Sequence, residues 1–325
     1  MQTMEQSLTA LRKSCPQLAP IIDEIGSVYA ELKEMGGKNS RENNLDDPFN
    51  SKHPPGHYYS PIPDMAAVLK DEEKLFSTSA DELPGIDLNA AAQLELIDAL
   101  QPYYDLQPYE DNKKPGLRYY FENQHFRHID AVILHSLIRH LQPERIIEIG
   151  SGFSSCIMLD ANEHYMNNSM RLTFIDPNPQ RLLKNLKPPD RQKVEIIPER
   201  LQDADLSIFS SLGPSDILFV DSSHVLKIDS ELNLILFEVL PALNAGVYVH
   251  FHDIFYPFQY LRNWVKQGRA WNEAYALRAF LQYNSAFEIT LFNSYLKIKH
   301  QGRFLRDRPL FRNGIGGSLW LKKTG

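Results

Sequence analysis

Cysteine is scarce: the 325 residues hold two, Cys15 and Cys156. Two thiols build neither a disulfide framework nor a cysteine metal site. Long hydrophobic runs are missing as well. No stretch reaches the ~20 apolar residues that a membrane helix needs, and the first residues lack the basic-then-apolar pattern of a signal peptide. Surplus positive charge is also absent. Lys and Arg number 34 against 41 Asp and Glu, for a formal net charge of −7. The cations are scattered, which argues against a nucleic-acid groove, because displacing condensed counterions takes clustered cations. These absences point to a soluble, cytoplasmic protein whose partner is neither nucleic acid nor membrane.

What is present suits one large α/β domain with an extra N-terminal element, since 43% of the residues are hydrophobic and 23% charged. Leu8, Leu11, Leu18, Ile21, Ile22, Ile25, Val28, Tyr29 and Leu32 recur at helical spacing and Gly36-Gly37 closes the run. A polar connection follows to residue 63, ending in the aromatic run Tyr58-Tyr59-Ser60-Pro61-Ile62-Pro63. Two more helical stretches are expected at 64–76 and 88–100. Residues 1–115 therefore read as a helical N-terminal region or lid, whose apolar helix suits a homodimer.

From residue 116 to 325 the pattern changes to strand alternating with helix. A helix is expected at 126–141, and strands at 145–149, 171–175, 193–197, 216–220, 246–252, 287–292 and 318–321. Most of these strands are near-continuous apolar runs, as parallel strands buried on both faces must be. The expectation is a Rossmann-like, doubly wound, seven-stranded sheet, mostly parallel, closed by a C-terminal antiparallel hairpin. Residues 257–283 read as helical, and the segment between the last two strands as loop.

The first strand runs into Glu148-Ile149-Gly150-Ser151-Gly152-Phe153-Ser154-Ser155. A strand, a glycine turn and a helix N-terminus let backbone N–H groups approach a ligand closely. A nicotinamide site would want a third glycine where Ser155 stands, and Glu148 would sit poorly beside a pyrophosphate. An acidic residue there suits a positively charged cofactor such as S-adenosylmethionine. Asp176 ends the second strand, where a carboxylate accepts hydrogen bonds from ribose hydroxyls; a helix cap is its competing role. Gln202 and Asp203 follow the third strand at the place of an adenine contact.

The order Glu-x-Gly-x-Gly, Asp176, Asp203, Asp221 resembles the class I S-adenosylmethionine-dependent methyltransferases. The runs Ile217-Leu218-Phe219-Val220-Asp221-Ser222-Ser223-His224 and His250-Phe251-His252-Asp253-Ile254-Phe255-Tyr256-Pro257 resemble a bacterial branch related to the metal-dependent O-methyltransferases. So do 58–63, Trp271-Asn272-Glu273-Ala274-Tyr275 and Gly317-Ser318-Leu319-Trp320. The resemblance implies Glu148, Gly150, Ser151, Gly152, Ser154, Ser155, Asp176, Gln202 and Asp203 at the cofactor. It also implies Asp221, His252 and Asp253 around Mg²⁺ or another divalent cation, although relatives carry Asp-Asn where this chain has His-Asp.

Asp221, His224, His252 and Asp253 all follow strand ends, and in a doubly wound sheet ligands bind at that edge. An imidazole there can take a proton from a hydroxyl, so His252, His224 and Asp221 are the candidate catalytic residues. His250 alternates with His252 and belongs to the opposite, core-facing side. The expected activity is O-methylation of a small molecule or saccharide, of the kind found in biosynthesis. N-methylation of an amine and a non-catalytic, cofactor-binding assembly protein are the alternatives, and a nicotinamide oxidoreductase is disfavoured.

Overall fold

The structure, a computed structural model, describes residues 11–14, 16–38, 52–78 and 80–325. Leu8, Cys15 and the connection over 39–51 lie outside the described residues, as do the side chains of Tyr29 and Leu32. The chain divides into two compact units, residues 1–62 and 63–325. The first contains the helix Ala19–Lys38 and a ring cluster in which His53 stacks on His57 with centroids 4.4 Å apart. The second unit contains the sheet, and residues 63–115, grouped above with the N-terminal region, belong to it.

Seven strands form one sheet in the order β3-β2-β1-β4-β5-β7-β6. They are β1 Arg145–Ile149, β2 Arg171–Ile175, β3 Glu195–Ile197, β4 Ile217–Val220, β5 Tyr248–Phe251, β6 Phe287–Phe292 and β7 Leu319–Lys323. The first five are mutually parallel; β7 runs antiparallel to both β5 and β6. The sheet thus matches the expected seven-stranded, mostly parallel arrangement. Strand order reverses between β1 and β4, and the crevice beyond their C-terminal ends is where such sheets take ligands.

Ile217, Leu218, Phe219 and Val220 of β4 are all buried, because helices cover both faces of the sheet at its centre. Each such side chain contributes about 1.5–3 kcal/mol on leaving water. Two carboxylates fasten the strands that carry the site. Asp216 accepts backbone N–H bonds from Glu144 and Arg145 at the entrance to β1. Asp130 accepts from the N–H groups of Gly317 and Ser318, just before β7, and from the amide of Asn293. At the sheet edge, helix Ala90–Ala99 covers β6: the Gln93 side chain accepts from Phe292 N–H at 2.7 Å. An otherwise open strand edge is thereby occupied.

Two segments differ from expectation. Between β6 and β7 the chain forms helices Asn293–Lys299 and Gln301–Phe304 rather than loop. The segment after β5 is helical only over Arg262–Lys266 and Glu273–Leu281, with a cis Tyr256–Pro257 bond before them. Among the described residues no helix is long and apolar enough to cross a membrane.

Candidate active site

A cavity of about 960 Å³ opens at the C-terminal ends of β1, β2, β4 and β5. Gly150 is the turn that makes one wall possible. Its φ is +82°, and a Cβ placed there would lie 1.9 Å from the carbonyl oxygen of Asp221. Only a residue without a side chain lets the β1 turn lie so close to the end of β4. Ser151 follows into the cavity wall, and Asp176 at the tip of β2 holds it: one carboxylate oxygen accepts from Ser151 N–H at 3.0 Å and from its hydroxyl at 2.6 Å. The other oxygen accepts from Asn178 N–H. Gln202 lines the same end and donates to the Asp229 carbonyl.

The rest of the glycine motif sits behind this wall. Glu148 is fully buried, and its carboxylate oxygens accept from the hydroxyls of Ser154 and Ser155. Ser155 in turn accepts from Gly152 N–H at 2.9 Å. Contrary to the expectation that Glu148 faces a cationic ligand, it latches the first turn of helix Phe153–Tyr165 onto β1. Glu148, Gly152, Ser154 and Ser155 are therefore not among the residues lining the cavity. Asp203 also turns away, paired with Arg200 at 2.8 Å; Arg200, not expected from the sequence, takes the lining position.

Burial pushes the Glu148 carboxyl up to about 8, despite the opposing serine hydrogen bonds. The folded state therefore keeps a proton that the unfolded chain releases above about 4.5. That contribution to stability is complete below the unfolded value and is lost as pH rises toward 8. Glu148→Gln, which cannot titrate, should flatten the decline in melting temperature over this window; a slope equal to that of the wild type would show that Glu148 does not cause it.

Across the cavity stand Asp221, His224, His252 and Asp253, all four brought together as the sequence suggested. His224 is the hub. Its Nδ1 lies 2.8 Å from Glu273 Oε2, and its Nε2 lies 3.6 Å from Asp221 Oδ1 and 3.7 Å from Asp253 Oδ2. Burial works to lower its pKa, but the Glu273 hydrogen bond and the charges of Glu273, Asp253 and Asp221 together raise it to about 9. His224 and Asp253 both adopt left-handed backbone, with φ of 62° and 59°. Such conformations at non-glycine residues persist where the surroundings hold them, and they cluster at working sites. For His224 the hold is visible: its carbonyl accepts the N–H groups of Asn272 and Glu273.

His252 is buried against Phe126, with ring centroids 4.9 Å apart. Its Nε2 lies 3.5 Å from Asp253 Oδ1, and its Nδ1 has no partner. Residue 250 is a core histidine, stacked on Phe219 at 3.7 Å and bonded through Nε2 to Ser318. Glu273 is the residue that sequence reasoning missed. It lies 49 positions from His224, and its signal was the run Trp271-Asn272-Glu273-Ala274-Tyr275, which gave it no role.

The cavity has the size of a small-molecule site, and the Gly150 turn beside the Asp176 carboxylate fits a nucleoside with free ribose hydroxyls. A cation fits less well. Among the described residues, the trio whose donor atoms all lie within 4.8 Å of one another is Asp111, Glu122 and His128, not Asp221, His252 and Asp253.

A family model described as a methyltransferase domain matches residues 147–254, the span from within β1 to just past β5. An uncharacterized protein of Archaeoglobus fulgidus is 40% identical over 162 residues, which cover 49% of this chain and 73% of the relative. Among solved structures, the methyltransferase PaMTH1 of Podospora anserina with bound SAH is 13% identical, covering 80% of this chain and 96% of its own, at a TM-score of 0.42. The O-methyltransferase TomG of Streptomyces achromogenes, in complex with SAM, is 17% identical with the same coverage at a TM-score of 0.38. Neither likeness bears on what this chain methylates.

Proposed function

We propose that this chain, which belongs to the class I S-adenosylmethionine-dependent methyltransferases, transfers the methyl group to a hydroxyl oxygen of a small molecule or saccharide. One observation carries this reading: the turn that reads a nucleoside and a cluster able to handle a proton line the same cavity. Asp176 and Ser151 take the ribose end, Gln202 the adenine end. When bound, S-adenosylmethionine supplies a methyl carbon whose bond to sulfur breaks toward a neutral thioether as the acceptor oxygen bonds to it.

The protein's part is to orient the acceptor and to manage the hydroxyl proton. Positioning alone is worth up to ~7–11 kcal/mol in the best intramolecular cases. His252, whose residue lines the cavity, takes the proton. His224, held cationic by three carboxylates, places positive charge near the developing bond. Glu273 orients His224 without touching substrate. Asp221, His252 and Asp253, the residues expected to hold a divalent cation, do not bring their donor atoms within 4.8 Å of one another, and they serve this reading as charges around the two imidazoles.

Calorimetry with S-adenosylmethionine, with and without Mg²⁺, tests the cofactor, and S-adenosylhomocysteine release with hydroxylated acceptors tests the transfer. Asp176→Ala removes both the ribose acceptor and the anchor of Ser151. With about 1.5–3 kcal/mol for each charge-assisted bond, its affinity for S-adenosylmethionine should fall tenfold or more. Unchanged binding would remove Asp176 from the cofactor site. Transfer to amines but not to hydroxyls would overturn the O-methyl reading.

A further inference from the structure

The acceptor side of the cavity carries a cation, Arg269, that has no acidic partner among the described residues. Helix Arg262–Lys266 ends in Gly268, at φ +83°, and the turn is closed by Arg269 N–H donating to the Trp264 carbonyl. This geometry lays the Arg269 guanidinium over two indoles, 4.3 Å from the Trp264 centroid and 4.9 Å from that of Trp271. All three residues line the cavity. Arg262 and Lys266, one to two turns earlier, are neutralised by Glu73 and Glu72. Among the described residues no carboxylate pairs with Arg269, although the residue is partly buried. Trp271 also touches the hub of the site, its ring 4.4 Å from the ring of His224.

Resting on the methyltransferase reading above, we infer that Arg269 and Trp271 form an acceptor subsite for a hydroxylated ring bearing a carboxylate. The planar guanidinium fork matches a carboxylate in two parallel N–H···O bonds, and the indole offers a flat face to an aromatic ring or to the C–H face of a sugar. Because Trp271 contacts both Arg269 and His224, a ring lying on it would have its carboxylate at the first and a hydroxyl at the second. The cofactor's own carboxylate has another candidate. Arg181, also without an acidic partner among the described residues, lies along the glycine turn, its Cδ 3.0 Å from where a Gly152 Cβ would stand.

The test uses the full chain saturated with S-adenosylhomocysteine and titrated calorimetrically with two matched pairs: 3,4-dihydroxybenzoate against catechol, and glucuronate against glucose. In at least one pair the carboxylate should bind tighter by about tenfold or more, the strength of hydrogen bonds to charged groups. Arg269→Gln should collapse that ratio toward one and Arg269→Lys should keep part of it, while an unchanged melting temperature reports that each variant is folded. No preference for the carboxylate in either pair, or a preference that survives Arg269→Gln, overturns the subsite. A loss of S-adenosylhomocysteine affinity matching the loss of carboxylate binding also overturns it, by moving Arg269 to the cofactor. The two readings fail separately: carboxylate bound through Arg269 but no hydroxyl methylated sinks only the O-transfer, and hydroxyl methylation indifferent to Arg269 sinks only the subsite.

Discussion

Gly150→Ala should abolish S-adenosylmethionine binding and lower stability by about 2–5 kcal/mol. The left-handed backbone of residue 150, at φ +82°, costs an L-residue roughly 1–2 kcal/mol. The added methyl would lie 1.9 Å from the Asp221 carbonyl oxygen and 2.9 Å from its carbon. Backbone cannot rotate aside as a side chain can, so either the turn or the end of β4 must move, at the ~1–3 kcal/mol typical of overpacking. Either movement breaks the bond from Asp221 N–H to the Ile149 carbonyl, at 2.9 Å, that joins the two walls of the cavity. Urea unfolding and calorimetry read the two effects separately. A variant that binds the cofactor normally would show that the close approach of β1 to β4 is not part of the site.

Asp221→Asn should lower kcat by about 10²–10⁴-fold, the range of proton-handling residues, with cofactor affinity changed little. The side chain is nearly isosteric, and the backbone bond to Ile149 stays. What is lost is one of the charges that keep His224 cationic and raise His252. The proton held at His224 should then leave at lower pH, moving the upper limb of the pH–rate profile downward. A variant with full kcat and an unmoved profile would take Asp221 out of the mechanism. Its side chain is about one third exposed, so a large loss of stability is not expected, and a drop in rate cannot be blamed on unfolding.

Much of this architecture was legible because parallel strands announce themselves. Runs such as 217–220 are apolar at every position, and six of the seven strands fall within the expected segments, β7 running two residues past its own. Asp176, Asp221, His252 and Asp253 were legible for the same reason: they come directly after the strands β2, β4 and β5. Glu148 misled because the same Glu-x-Gly-x-Gly pattern is compatible with a carboxylate that faces the ligand and one that turns back to cap a helix. The two serines at 154 and 155 decide it, and their hydroxyls bond across five or six residues in a direction the pattern does not encode. Glu273 was illegible because its partner lies on another element. The helices after β6 were read as loop because Asn293–Lys299 begins directly where the strand stops, with no separate start signal.

The position of β7 bears on how the enzyme is made. It is seventh in sequence but interior in the sheet, wedged between β5 and β6. On a ribosome, β5 and β6 emerge first and have no strand to bridge them. Until residues 319–323 arrive, β5, the strand that leads into His252 and Asp253, keeps an open edge. Open edges recruit foreign strands, and pairing that must wait for distant sequence is slow. The free edge of β5, beside the cluster around His224, is therefore closed only by sequence well beyond it, residues 319–323.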